Sequence, residues 1–160
     1  LRFFTVYGPW GRPDMALFEF TRAIIAGEKI KVFNNGKHRR DFTYIDDIIE
    51  GLLRIIENPP KKNDDWKSEN PKPNNSSAPW RIFNIGNNNK VELSEYIEAI
   101  EYELNLKADK EFLPMQPGDV VETHADINDL ISEFNYKPNT SIQQGIKEFI
   151  KWYKSYHKLD

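Results

Sequence analysis

The sequence predicts an interleaved fold of strands and helices, α/β or α+β, and three observations carry that reading. Short runs rich in aromatic and β-branched residues recur at 2–6, 29–33, 39–44 and 80–85. Between them lie stretches with apolar residues at helical spacing. Clusters of Gly, Pro and Asn separate the two kinds of segment. Interleaving of this sort argues against an all-helical or all-strand protein, and 160 residues suffice for one domain with its own core.

Each element has a local reason. Arg2 to Val6 reads as a buried strand. The loop GPWGRPD follows, and Asp14 is placed to cap a helix over MALFEFTRAIIAG. Leu17, Phe20, Ile24 and Ile25 share one face of that helix, and Gly27 ends it. Lys29 to Phe33 reads as a short strand. Asn34-Asn35-Gly36 accepts positive φ, and Arg39 to Tyr44 alternates, so a hairpin is expected. Asp46 or Asp47 opens the helix IDDIIEGLLRIIEN, where early carboxylates suit the helix dipole and Ile48, Leu52, Ile55 and Ile56 form the apolar stripe.

Residues 58–79 are rich in Pro, Asn, Lys and Ser and read as a flexible surface insertion within one domain. Trp80 to Ile85 resumes a strand, closed by the polar turn Gly86-Asn87-Asn88-Asn89. Leu93 to Leu104 is an amphipathic helix with Glu92 or Ser94 at its start, and Glu111 to Leu113 is a short extended piece before the loop PMQPGD. Asp126 to Phe134 reads as a short helix. Ser141 caps a last one, with Ile142, Ile146, Phe149, Ile150 and Tyr153 in register.

Composition narrows the function classes. The formal net charge of −3 gives no bulk attraction for nucleic acid. The absence of Cys excludes a disulfide scaffold and a thiolate metal site, and His38, His124 and His157 lack zinc-type spacing. No apolar run reaches the ~20 residues of a membrane span. A soluble, intracellular protein is the default expectation. A chain opening in mid-strand at Leu1, without Met, reads as a piece of a longer protein.

Three segments are candidates for chemistry, each with a plainer explanation beside it. Arg39 and Arg40 stand at a strand-to-helix step, where a guanidinium can bind phosphate or carboxylate oxygens bidentately. An ion pair with Asp41, Asp46 or Asp47 would explain them equally. The GPWGRPD loop precedes a helix N-terminus and suits a ligand, or is an ordinary connection; it is not a G-x-G-x-x-G or P-loop motif. MQPGDVVET brings Gln116, Asp119 and Glu122 near one turn, where Asp and Gln can bond a ribose hydroxyl or cap a Pro-Gly turn. Trp152, Tyr153 and Tyr156 read as helix packing, and His124 as structural. No nucleophile–base pair and no metal set is visible.

Five segments in one order go further: LRFFTVYGPWGRPDMALFEFTRAI, RRDFTYIDDIIEG, FNIGN, ELSEYIEAIE and LPMQPGDVVETHAD. Together they resemble the C-terminal half of nucleotide-sugar epimerases of the extended short-chain dehydrogenase/reductase family, and within it the UDP-glucuronate 4-epimerases. UDP-glucose 4-epimerases, UDP-glucuronate decarboxylases and dTDP-glucose dehydratases are the nearest rivals; a stand-alone UDP-binding module is the remaining alternative. The resemblance implies an α/β fold made of the last strands of a Rossmann sheet plus a smaller substrate-binding domain. It implies that NAD and the catalytic Ser/Thr, Tyr and Lys belong to an N-terminal domain outside this chain, so that the chain alone is inactive. It further implies a homodimer when full length, a cytoplasmic location and a role in polysaccharide biosynthesis.

Residue by residue, the resemblance assigns Thr5 to the sugar and Arg12 to the sugar carboxylate, the pairing that favours glucuronate over a neutral hexose. Lys31, Val32 and Phe33 match the strand passing the uracil, with Phe33 as the stacking ring. Arg40 matches the pyrophosphate ligand, with Asp46 and Asp47 capping the helix and orienting it. Asp119 matches the ribose-binding acid. Gln116 departs from relatives that carry Arg there, which shifts diphosphate binding onto Arg40.

Overall fold

The computed structural model describes residues 1–159. Strand β1 (Arg2–Phe3) breaks at Phe4 and resumes as β2 (Thr5–Tyr7), so the opening run is two short strands. Its start is not buried: Phe3 keeps 54% of its surface exposed, and burial deepens only toward Tyr7. Helix α1 (Ala16–Ala26) follows, then β3 (Ile30–Val32), a 3-10 turn (Phe33–Gly36), β4 (Arg39–Tyr44) and α2 (Ile45–Glu57). After residues 58–79, which contain no helix or named strand, come β5 (Asn84–Ile85), β6 (Lys90–Glu92) and α3 (Leu93–Leu104). The chain ends in β7 (Lys110–Phe112), α4 (Asn128–Phe134) and α5 (Ile142–His157).

The expected hairpin does not form. β3 pairs in parallel with β7, whereas β4 lies between β2, parallel, and β6, antiparallel. A type I′ hairpin turn needs positive φ at its two central residues. Here Asn34, Asn35 and Gly36 all adopt it, at 51°, 50° and 77°, and the coil carries the chain from one sheet to another. Leu113 then takes the carbonyl of Val32 that a hairpin partner would have used. β1 pairs in parallel with β5, in register from Arg2–Asn84 to Phe3–Ile85.

Helix ends follow local chemistry where glycine or serine sits there. Gly27 closes α1 in the left-handed conformation, and Ser141 Oγ accepts the amide of Gln144 at the head of α5. The aspartate caps do not form. Met15, not Asp14, precedes α1, and Tyr44 precedes α2 without any side-chain cap. Asp14 is drawn to Arg12 instead. Asp47 turns away from the helix start and accepts the amides of Asn139 and Thr140, so it does not orient Arg40.

Two cores result. The larger packs α1, α3 and α5 around β2, β3 and β4, with Phe42 and Tyr96 stacked 4.0 Å apart. The smaller joins Ile48, Phe83, Ile85, Ala125, Ile127, Leu130 and Tyr136. The α2 stripe divides: Ile48 is buried in that core, while Ile56 stays 63% exposed. Among the described residues no helix is long and apolar enough to cross a membrane.

Candidate functional site

Strand β4 organises the site. The segment 119–125 is laced along it: Val121 O accepts the Arg39 amide, Arg39 O accepts the Thr123 amide, and Asp41 Oδ2 accepts the Ala125 amide at 3.0 Å. Asp41 is wholly buried, and its Oδ1 accepts the Asn87 amide and the Thr43 hydroxyl. One carboxylate thus ties β4 to the polar turn after β5 and to the 119–125 segment. A buried charge is tolerated only with such full hydrogen bonding.

That lacing fixes the two adjacent arginines in different ways. Arg39, half-exposed, pairs with Glu122 at 3.0 Å, and Lys90 Nζ reaches the same carboxylate. Hydrogen bonding from Lys90, with the charges of Arg39 and His124, holds the Glu122 carboxyl below its usual range. Arg40 is deeper. Its Nη1 donates to the carbonyls of Val121 and Arg39, and its Nη2 donates to Asp119 Oδ1 at 3.1 Å.

Asp119 is brought there by a turn. Its amide donates to Gln116 O, and Gly118 between them has φ +82°. Proline at the second position and a positive-φ glycine at the third make a type II turn. The Pro-Gly turn expected in this segment therefore aims Asp119 at Arg40, 79 residues away in sequence. His38, which sequence reasoning set aside, stands on the other side of this carboxylate: Nε2 lies 3.2 Å from Asp119 Oδ2, on a residue only 5% exposed. No sequence signal marks it, because its partner comes from the far turn.

Thr5 and Arg12 meet in a second place. Both line an open groove of about 720 Å³ at the end of β2, with Trp10, Met15, Ile45 and Thr123. Thr123 is the link between the two places, because its hydroxyl accepts the Asp41 amide at 3.4 Å. Gly8 permits the turn into this loop: at φ +139° it carries a conformation that side chains resist, and a Cβ would fall 2.7 Å from Ile45 Cγ2. The loop tip is open. Arg12 donates from Nε to Asp14 Oδ1 at 3.0 Å, both side chains being mostly exposed. This pairing raises the Arg12 pKa and lowers that of Asp14. Trp10 sets its exposed ring tilted against Trp152 and edge-on to Tyr156 of α5, which stack on each other, so that pair holds the loop as well as packing the helix.

The 31–33 segment lies in the β3–β7 sheet, where Lys31 is exposed and opposite Glu111, Val32 is buried, and Phe33 is half-buried at the start of the 3-10 turn. Among the described residues, no hydrogen bond or ring contact joins this segment to Arg40 or Arg12. Gln116 is exposed and contributes its carbonyl to the turn. The residues present do not fit the pyrophosphate of a dinucleotide: the turn before α1 holds Pro9, Trp10 and Pro13 where such a cradle requires glycines, and α1 starts at Ala16, after Met15, without a side-chain cap.

Parallel strand pairs joined to a mixed α/β unit define the C-terminal part of an extended Rossmann-type fold, in which an arginine–carboxylate cluster stands near an open groove. Residues 1–86 match the NAD dependent epimerase/dehydratase family. The chain belongs to that family. It is 51% identical over 158 residues to Protein CapI of Staphylococcus aureus, covering 99% of this chain and 47% of the relative. It is 45% identical to UDP-glucuronate 4-epimerase 1 of Arabidopsis thaliana, covering 98% of this chain and 36% of that protein. The crystal structure of UDP-glucuronic acid 4-epimerase from Bacillus cereus, in complex with UDP-glucuronic acid and NAD, superposes with a TM-score of 0.79 at 29% identity. That match covers 97% of this chain and 44% of the solved one. The chain thus spans about half the length, or less, of the relatives it matches.

Proposed function

We propose that this chain is the UDP-sugar-binding portion of an NAD-dependent epimerase that interconverts UDP-glucuronate and UDP-galacturonate by transient oxidation at C4. One observation carries the reading: Thr5 and Arg12 line a single groove, with a cation at its mouth, in a chain 45% identical to a UDP-glucuronate 4-epimerase. In this reading Arg12 exchanges Asp14 for the carboxylate of the sugar, and Thr5 bonds a sugar hydroxyl. Arg40 binds the diphosphate with its fork already oriented by two backbone carbonyls. Asp119 accepts from the ribose, Phe33 stacks on the uracil beside Lys31 and Val32, and Gln116 adds an amide near the diphosphate. These groups supply binding and orientation. The redox step lies outside the residues of this chain, so the chain alone does not catalyse. The whole protein is proposed to be a cytoplasmic homodimer.

The test is the substitution Arg12→Ala in the full-length protein. Loss of a charge-assisted bond lowers kcat/KM for UDP-glucuronate by roughly tenfold or more. UDP-glucose, which has no carboxylate, is unaffected. Equal losses on both substrates would refute the carboxylate role, and release of a UDP-pentose from UDP-glucuronate would reassign the reaction to decarboxylation.

A further inference from the structure

We infer that His38 is a charge-compensating residue that takes up a proton when an anionic ligand draws Arg40 away from Asp119. The inference rests on the reading of Arg40 as the diphosphate ligand. The geometry is a three-member cluster in which His38 is buried and Arg40 and Asp119 are partly buried. Asp119 presents Oδ1 to Arg40 Nη2 at 3.1 Å and Oδ2 to His38 Nε2 at 3.2 Å. The Val120 amide also donates to Oδ1, at 2.7 Å. His38 Nε2 is buried yet lacks an aligned hydrogen-bond partner, so its contact with Asp119 is an approach not yet made into a bond.

Without ligand, the guanidinium of Arg40 balances the carboxylate. A diphosphate competes for that guanidinium, whose Nη1 is held by the carbonyls of Val121 and Arg39. Asp119 then keeps its negative charge in a half-buried place with a weakened counter-ion. Histidine is the side chain whose charge changes between about pH 5 and 8, and an opposite charge within a few ångströms favours its charged form. A proton on the ring restores the balance and turns the approach at Oδ2 into a charge-assisted bond.

The other charged groups around His38 are already engaged or exposed. Glu122 is held by Arg39 and Lys90. Glu92, at the end of β6 beside the His38 carbonyl, accepts from Ser94 Oγ. Lys37, next in sequence, is exposed. Asp119 is therefore the carboxylate whose balance a departing Arg40 disturbs. The linkage has a definite sign: ligand-linked uptake means that affinity rises as pH falls through the histidine range, and levels off once the ring is charged with and without ligand.

The experiment is calorimetric titration of the protein with UDP-glucuronate at pH 7 in PIPES and in imidazole, whose ionisation heats differ. The diphosphate of a nucleotide sugar is a diester that stays fully ionised here, unlike the terminal phosphate of UDP, with a second pKa near about 6. The difference in heat between the buffers counts protons. The native protein takes up protons as the ligand binds, so its heat of binding differs between the two buffers. His38→Gln keeps a neutral donor and takes up none, and its affinity no longer depends on pH between 6 and 8. Uptake that persists in His38→Gln, or is absent from the native protein, overturns the inference. Arg40→Ala separates the two readings: unchanged affinity in that variant refutes the role of Arg40, whereas weakened affinity with uptake unaltered in His38→Gln refutes only the role of His38.

Discussion

Arg40 and Arg12, the two cations of the proposed site, are held by opposite means. The side chain of Arg40 is 21% exposed, and besides the Arg39 carbonyl its partners lie 79 and 81 residues away, in a segment laced to its own strand. The side chain of Arg12 is 73% exposed, and its recorded partner is Asp14, two residues on. The first is a fork whose position is set by the tertiary structure. The second is a cation on a loop tip, anchored by the Trp10 rings, whose ion pair adds little to stability. In the proposed reading, a site that takes a diphosphate common to its ligands and discriminates among sugars gains from that division: a fork placed by distant contacts where ligands agree, and a replaceable side chain where they differ.

The largest expected effect breaks the fixed side. Asp41→Ala removes the acceptor for the part-buried amide of Asn87, the buried amide of Ala125 and the buried Thr43 hydroxyl. Each buried donor left unsatisfied costs about 1–3 kcal/mol, so the variant loses roughly 3–5 kcal/mol in denaturant unfolding. Because Asp41 also ties down segment 119–125, affinity for UDP-glucuronate falls with it. A variant that is destabilised by less than about 1 kcal/mol would show that the lacing does not hold the Arg40 cluster in place.

How much of this was legible in the sequence follows the same division. Gly27 and Ser141 at helix ends, and the positive-φ run Asn34-Asn35-Gly36, were readable because the deciding chemistry is local. The hairpin was misread because strand partnership is decided by residues far along the chain: β7 for β3, and β2 and β6 for β4. Asp14 and Asp47 look like caps in sequence, but Arg12 and the amides at 139 and 140 attract them more strongly. At the site, Arg40 and Asp119 stood out one at a time. Their meeting, and the presence of His38 and Asp41 around them, depend on the parallel bridge of Arg39 with Glu122, which no spacing rule reveals.

A smaller effect sharpens the comparison through pH. Glu101 on α3 is 3% exposed and accepts from Lys110, Lys107 and the Ala108 amide, making it a fixed ion cluster like that of Arg40. Burial alone would raise its carboxyl, but the hydrogen bonds from Lys110, Ala108 and Lys107 outweigh burial and lower it. A carboxyl lowered by folding gives stability that is complete above the ordinary glutamate value near ~4.3 and is lost as pH falls through the folded one. The melting temperature of Glu101→Gln therefore lies below that of the native protein at pH 7, and the gap narrows below about pH 4. A gap that stays constant with pH would mean that the glutamate contributes shape rather than charge.

The smallest effect belongs to the loop tip. Asp14→Ala removes the recorded partner of Arg12, and the exposure of both side chains predicts no measurable change in melting temperature. The substitution does free the guanidinium. If Asp14 only occupies Arg12 until a sugar carboxylate arrives, the variant binds UDP-glucuronate slightly more tightly and UDP-glucose as before. If it instead pre-orients Arg12, binding of UDP-glucuronate weakens at unchanged stability. A clear fall in melting temperature would contradict both: the pair would then be holding the loop, and Arg12 would be as structurally fixed as Arg40.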